Sequence, residues 1–147
     1  MVLEAGANPD YHAVEMQIAL ITTTAHSHME CVVQIFESGR CDPNLKGKGE
    51  RTALSFAIGN GHHNIVKHIL SQGSCNTYED DRSGGTPLIW ATGGDYVSIV
   101  LTLAKHLGVD IDQHDTRGHT AVSWAAGNGM DDFLKCLLKL RDIDANL

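Results

Sequence analysis

Along this chain, apolar residues return at helical spacing in short runs that polar, glycine-bearing stretches keep interrupting. The middle shows the pattern best. Leu54, Ala57 and Ile58 share one helical face, Gly59-Asn60-Gly61 breaks the run, and Ile65, Val66, Ile69 and Leu70 resume it. Two short antiparallel helices with a tight turn between them are predicted. The second-helix stripe recurs as Cys31, Val32, Ile35 and Phe36, as Ile99, Val100, Leu103 and Ala104, and as Phe133, Leu134, Leu137 and Leu138. Gly6, Gly39, Gly73 and Gly108 each open the polar string behind such a stripe, placed to take the left-handed conformation that closes a helix.

The recurrence keeps register. Thr86-Pro87-Leu88-Ile89-Trp90-Ala91 is echoed 34 residues earlier by Thr52-Ala53-Leu54-Ser55-Phe56-Ala57 and 34 later by Thr120-Ala121-Val122-Ser123-Trp124-Ala125. A fainter copy, Ile18-Ala19-Leu20-Ile21-Thr22-Thr23, retains only the Ala-Leu pair. Self-similarity at this period marks a stacked array of supersecondary units. A unit of this size cannot hide its apolar face alone, so the core must run lengthwise between neighbours. Residues 1–147 are therefore expected to form one all-α domain, with a remnant over 1–10 and units of about 11–44, 45–78, 79–112 and 113–147. Thr52, Thr86 and Thr120 stand where a hydroxyl can cap a helix start, and Pro87 takes the favoured first helical position. Ala53, Ala57, Ala91, Ala125 and Ala126 are small enough to let first helices approach closely. The connectors over 44–51 and 112–119 are polar, carry glycine and are long enough for a hairpin-like excursion.

On these residues the chain resembles the ankyrin-repeat family, over essentially its whole length. The resemblance is carried by the Thr-x-Leu/Val-x-x-Ala helix starts, by Gly59-Asn60-Gly61-His62 and Gly127-Asn128-Gly129 between helices, and by the turns Asp81-x-x-Gly84-x-Thr86 and Asp115-x-x-Gly118-x-Thr120. It implies a solenoid of L-shaped units, with β-hairpin-like fingers projecting from stacked helix pairs and a concave face made by fingers and first helices. Several positions depart from the family pattern. The family's His after Thr-Pro-Leu is Ser55, Ile89 or Ser123 here, and Ile21 in the first unit, so its hydrogen bonds to the loop are expected to be absent or replaced. Asp95 stands at an inter-helix glycine position, an extra residue falls within 101–107, and Cys41 and Glu79 look like single insertions. Local irregularity is expected there, with the third unit's second helix distorted. The first unit, with Thr22-Thr23-Thr24 inside its first helix, is expected to be the least regular.

Composition narrows the function classes. A formal charge of −7 opposes broad attraction to nucleic acid or anionic lipid, and the apolar run at the start is too short for a secretion signal or a membrane span. Cys31, Cys41, Cys75 and Cys136 lie far apart without a CxxC pair, which fits a reduced, intracellular protein of cytoplasm or nucleus. Cys31 and Cys136 fall on the apolar stripe as small buried hydrophobes, whereas Cys41 and Cys75, near loops, are expected to be more exposed. Nine histidines raise the question of a metal, above all at His26-Ser27-His28 and His62-His63. No cysteine lies close in sequence to either pair, as a structural zinc site would require. Local hydrogen bonding by His28 and His62 in the inter-helix turns explains them better. Ser55, Ser123 and the cysteines sit in no nucleophile elbow, and Gly47-Lys48-Gly49 and Gly93-Gly94 lack the spacing of a phosphate loop. No enzyme, cofactor or metal site is expected.

Function is then expected in the variable positions, which the resemblance places at the fingertips and the exposed ends of first helices. Candidate partner-binding residues are Lys48, Arg51, Asn60, Arg82, Trp90, Arg117, His119, Trp124 and Asn128. Lys46, Lys48, Arg51, Arg82 and Arg117, five of eleven basic residues, gather in the fingers of an acidic chain. Such a row would steer and hold an acidic segment of a partner protein. Solvated tips that tolerate any charge, diluted by Glu50, Asp80 and Asp81, remain the plainer alternative. Phe56, Trp90 and Trp124 read as partly buried spacers beneath the concave face, and Trp90 and Trp124 become anchors if the groove is open. Neither end looks capped, since Leu137 and Leu138 hold interior positions beside Phe133 and the chain stops at Ala145-Asn146-Leu147, where another finger would begin. The chain is therefore expected to belong to a longer array or larger protein. The leading expectation is a protein–protein interaction scaffold without catalysis. Beside it stand a regulatory or targeting module of a larger enzyme, channel or acyltransferase, and a plain structural spacer.

Overall fold

The computed structural model describes residues 9–76, 80–106 and 110–145. Within them eight α-helices form four pairs: α1 (Pro9–Ala25) with α2 (Met29–Glu37), α3 (Ala53–Gly59) with α4 (His63–Ser71), α5 (Pro87–Thr92) with α6 (Val97–Ala104), and α7 (Ala121–Gly127) with α8 (Asp131–Ala145). First helices touch in the order α1, α3, α5, α7, and second helices in the order α2, α4, α6, α8. The all-α solenoid is the architecture the repeat demanded.

Its core runs lengthwise. Rows of residues 34 apart stack on one another: Leu20, Leu54 and Leu88; Ala57, Ala91 and Ala125; Val32, Val66 and Val100; Ile69, Leu103 and Leu137, all at most 1% exposed. Each large member contributes roughly 1.5–3 kcal/mol by leaving water, while the alanine row keeps first helices close.

Three first helices begin alike because their sequences do. Thr52 Oγ1 accepts from the Ser55 amide at 3.3 Å, Thr86 Oγ1 from Ile89 at 3.3 Å and Thr120 Oγ1 from Ser123 at 3.2 Å. Pro87 occupies the first turn of α5. The hydroxyls of Ser55 and Ser123 donate back to the carbonyls of Thr52 and Thr120 at 2.8 and 2.9 Å, so serine supplies bonds where histidine was missing. Gly39 and Gly73 are left-handed behind α2 and α4, whereas Gly6 and Gly108 lie outside the described residues.

Irregularities fall largely in the first unit. Helix α1 fills residues 9–25, so helix stands where a finger was expected in the unit over 11–44. The Thr24 hydroxyl is buried there with no hydrogen-bond partner among the described residues. Between paired helices, Gly61 (φ 73°) and Gly129 (φ 67°) are left-handed, and Asp95 (φ 56°) and Ser27 (φ 62°) are forced into the same conformation. Helix α6 is one residue shorter than α2 and α4, and both Glu79 and the end of the 101–107 stretch lie outside the described residues.

Several residues depart from their expected burial. Cys31 is exposed although its register mates Ile65, Ile99 and Phe133 are buried, because no helix pair precedes α1 and α2 among the described residues. Leu138, 42% exposed, and Ala126, also exposed, sit on the last pair, with no described pair beyond to cover them. Cys41 and Cys75 are half-buried rather than loop-exposed, and Cys136 is half-buried rather than buried. Burial, aided by the Asp42 charge, pushes the Cys75 thiol up to about 12.

Candidate partner-binding surface

The fingers close with one repeated pair of backbone bonds. The Gly47 amide donates to the Arg51 carbonyl at 2.8 Å and Glu50 to Gly47 at 3.0 Å; Asp81 donates to Gly85 at 3.2 Å and Gly84 to Asp81 at 2.9 Å; Asp115 donates to His119 at 2.9 Å and Gly118 to Asp115 at 3.0 Å. These are tight turns with little strand character. Among the described residues the one isolated bridge is His114 with Thr120. The turn needs a left-handed residue, supplied by Gly84 (φ 70°), Gly118 (φ 82°) and, against its preference, Glu50 (φ 60°).

A carboxylate fastens two of these turns to the first helices. Asp81 accepts the amides of Ser83 and Gly85 at 2.9 Å each and the Trp90 indole N–H at 3.0 Å. Asp115 repeats the arrangement with the amides of Arg117 and His119 at 2.9 Å each and Trp124 at 3.1 Å, and His119 Nδ1 lies 3.5 Å away. Desolvation pushes the Asp115 carboxyl up, but the His119 amide, the Trp124 N–H, the Arg117 amide and the His119 ring together outweigh it and hold the group below its ordinary value. The second unit has Gly47 and Phe56 at the two positions and uses another fastening. Arg51 lays its guanidinium 4.2 Å from the Phe56 ring centre and donates from Nη2 to the Ser55 carbonyl at 2.9 Å. Burial draws the Arg51 pKa down, with Asp81 pulling the other way.

Finger is tied to finger as well. The Arg82 amide donates to the Gly49 carbonyl at 3.1 Å, and the Thr116 amide and hydroxyl donate to the Ser83 carbonyl at 3.2 and 2.9 Å. Below the tips, Asn44 Nδ2 donates to the Ser74 carbonyl at 2.7 Å, and Lys46 Nζ to the Asp80 carbonyl at 3.2 Å. The result is a ladder of linked turns along one edge of the array.

On this ladder Lys48, Arg82 and Arg117 are exposed, and among the described residues they form no ion pair. Arg51 is half-buried against Phe56, and His119 is exposed with its ring 5.3 Å from Trp124. Trp90 and Trp124 are half-buried with their N–H groups committed to the fingers, so only ring faces remain for contact. Asn60 and Asn128 are exposed caps at the ends of α3 and α7, and Asn128 Nδ2 donates to the Trp124 carbonyl at 2.8 Å. Sequence reasoning treated Asp81 and Asp115 as turn residues and missed the fastening. The signal was present in the nine-residue Asp-to-Trp spacing, which occurs twice. The inter-helix histidines reach further than expected. His62 Nε2–H donates across units to the Ala25 carbonyl at 3.1 Å, while His28 stacks on His26 at 6.0 Å.

Helix pairs on a lengthwise core, with their connecting turns laddered along one edge, define a repeat solenoid that presents an extended surface. A family model of ankyrin repeats, in three copies, matches residues 16–115, and the chain belongs to the ankyrin-repeat family. No curated protein sequence matches it. Ankyrin repeats are in general protein–protein interaction modules, and the family is typically non-catalytic. Among the described residues no helix is long and apolar enough to cross a membrane, and no group of three or more His, Cys, Asp or Glu is placed to hold a metal ion.

Proposed function

We propose that this chain binds another protein along its fingers and the inner face of its first helices, gripping an acidic segment of that partner and performing no catalysis itself. The observation that carries the reading is the row of Lys48, Arg82 and Arg117, exposed and unpaired among the described residues, on turns already fixed by hydrogen bonds. The three stand one to a unit on turns that are hydrogen-bonded to one another, so they share one edge of the array. In this reading Arg51, His119, Trp90 and Trp124 add contacts from the finger bases and first helices, and Asn60 and Asn128 from the ends of α3 and α7. An exposed charge pair contributes about 0.2–1 kcal/mol, so the three cations together account for on the order of tenfold in affinity. The test uses the full chain as bait in quantitative affinity capture, wild type against Lys48→Glu/Arg82→Glu/Arg117→Glu. Loss of partners that carry acidic segments is expected, and capture of the same partners at unchanged yield would refute the reading.

A further inference from the structure

On the second-helix side of the array, α4 and α6 flank an open trough of about 440 Å³. This lies within the roughly 300–1,000 Å³ of ordinary ligand pockets. His63 and Lys67 line it from α4, Leu101 and Thr102 from α6, and Lys105 and His106 stand just past the end of α6; no carboxylate lines it among the described residues. Its two walls are joined. Thr102 gives its hydroxyl proton to the Ser98 carbonyl at 3.0 Å, so its oxygen accepts from His63 Nε2–H at 2.8 Å, and the shape is set before anything binds.

Two features of the trough ask for an occupant. Lys67 and Lys105 are exposed and form no ion pair among the described residues, in a chain with 18 acidic residues against 11 basic ones. Leu101, 47% exposed, lines the same trough, at a register position where the neighbouring units carry Lys67 and Lys135. We infer that this trough is a second docking site that takes an acidic peptide segment of a partner protein, with carboxylates on Lys67 and Lys105 and one apolar side chain over Leu101. An inorganic anion would satisfy the lysines and leave the leucine wet, which is why a peptide fits better. The site uses other helices than the finger row and stands independently of it.

The probe is a fluorescein-labelled peptide, Asp-Glu-Leu-Glu-Asp, titrated by fluorescence anisotropy at low salt. The protein is the full chain carrying Lys48→Ala/Arg82→Ala/Arg117→Ala, so that finger binding does not contribute. Saturable binding is expected, weakened about tenfold by Lys67→Glu/Lys105→Glu and severalfold by Leu101→Ser. All three positions are exposed, and circular dichroism checks that each variant stays folded. Failure to saturate, or equal affinity after the lysine reversal, overturns the inference. So does full displacement by inorganic phosphate at matched concentration with no effect of Leu101→Ser, which would mark a simple anion site.

Discussion

Gly84→Ala tests whether the fingers behave as one ladder or as separate turns. Gly84 sits at φ 70°, and a Cβ added there would lie 2.7 Å from the Thr116 backbone nitrogen and 3.0 Å from its Cγ2. The left-handed conformation costs an alanine about 1–2 kcal/mol, offset by about 0.4–1 kcal/mol through the stiffer unfolded chain. The clash meets backbone, which cannot swing aside as a side chain would. The fourth finger must therefore retreat, breaking the two bonds from Thr116 to the Ser83 carbonyl, each with a net contribution of about 0.5–1.5 kcal/mol. The sum is roughly 3 kcal/mol, or a melting midpoint lower by about 6–12 °C for a chain of this length. Gly118→Ala is the matched control, since φ is 82° but nothing lies within 4 Å of the added carbon. It carries the strain without the clash and should cost about 1 kcal/mol or less. Thermal and urea unfolding, followed by circular dichroism and tryptophan emission, measure both. Equal losses in the two variants would show that contact between fingers contributes nothing to stability.

Acid should loosen the fourth finger. The Asp115 carboxyl is held below its ordinary value of 3.8, so the stability it contributes is complete above that pH and is lost as pH falls through the lower folded value. In a Trp90→Phe background, Trp124 emission should shift only below pH 3.8, and Asp115→Asn should abolish that step; a midpoint at or above about pH 4 would contradict the assignment. Thiol labelling at neutral pH should modify exposed Cys31 first and half-buried Cys75, whose thiol is pushed up to about 12, more than about a hundredfold slower. Comparable rates in the folded protein, read by peptide mass mapping, would contradict that burial. Ser27→Gly and Asp95→Gly should each stabilise by about 0.5–1 kcal/mol, Ser27→Gly by more because aspartate tolerates the left-handed region better. A fall in melting temperature for either variant would show that the turn is not strained there.

How much of this was legible in the sequence follows from which contacts repeat at 34 residues. Helix pairs, threonine caps and core rows are periodic, so Leu54, Ala57 and Ile69 announced their neighbours Leu88, Ala91 and Leu103. What stayed hidden depends on what a residue faces. Cys31 and Leu138 carry the right letter in the right register, yet they lie on the first and last described pairs, and a stripe in sequence does not say whether anything covers it. The candidate surface was readable by position and unreadable by contact. Arg51 and Lys48 look alike as finger cations, but Phe56 in the place of tryptophan draws Arg51 down onto the helix and leaves Lys48 at the tip. Glu50 was read for its charge, whereas its backbone fills a turn position that Gly84 and Gly118 fill in the other fingers.

The fastening carboxylates also decide which sign the finger edge shows. Counted in sequence, Asp81 dilutes the basic row together with Glu50 and Asp80, and Asp115 likewise lies within two residues of an arginine. In the structure both carboxylates turn inward. Each gives one oxygen to two turn amides and the other to an indole N–H, and Asp115 is buried. The donor dipoles offset part of each carboxylate's charge and its oxygens face the helix, whereas Arg82 and Arg117 extend into water at the tips. The bonds that hold the turns rigid therefore also turn the carboxylate oxygens away from the presented edge. Replacing Trp90 or Trp124 by phenylalanine would free one carboxylate oxygen on the finger side, so such a variant should weaken an acidic partner without altering any cation it touches.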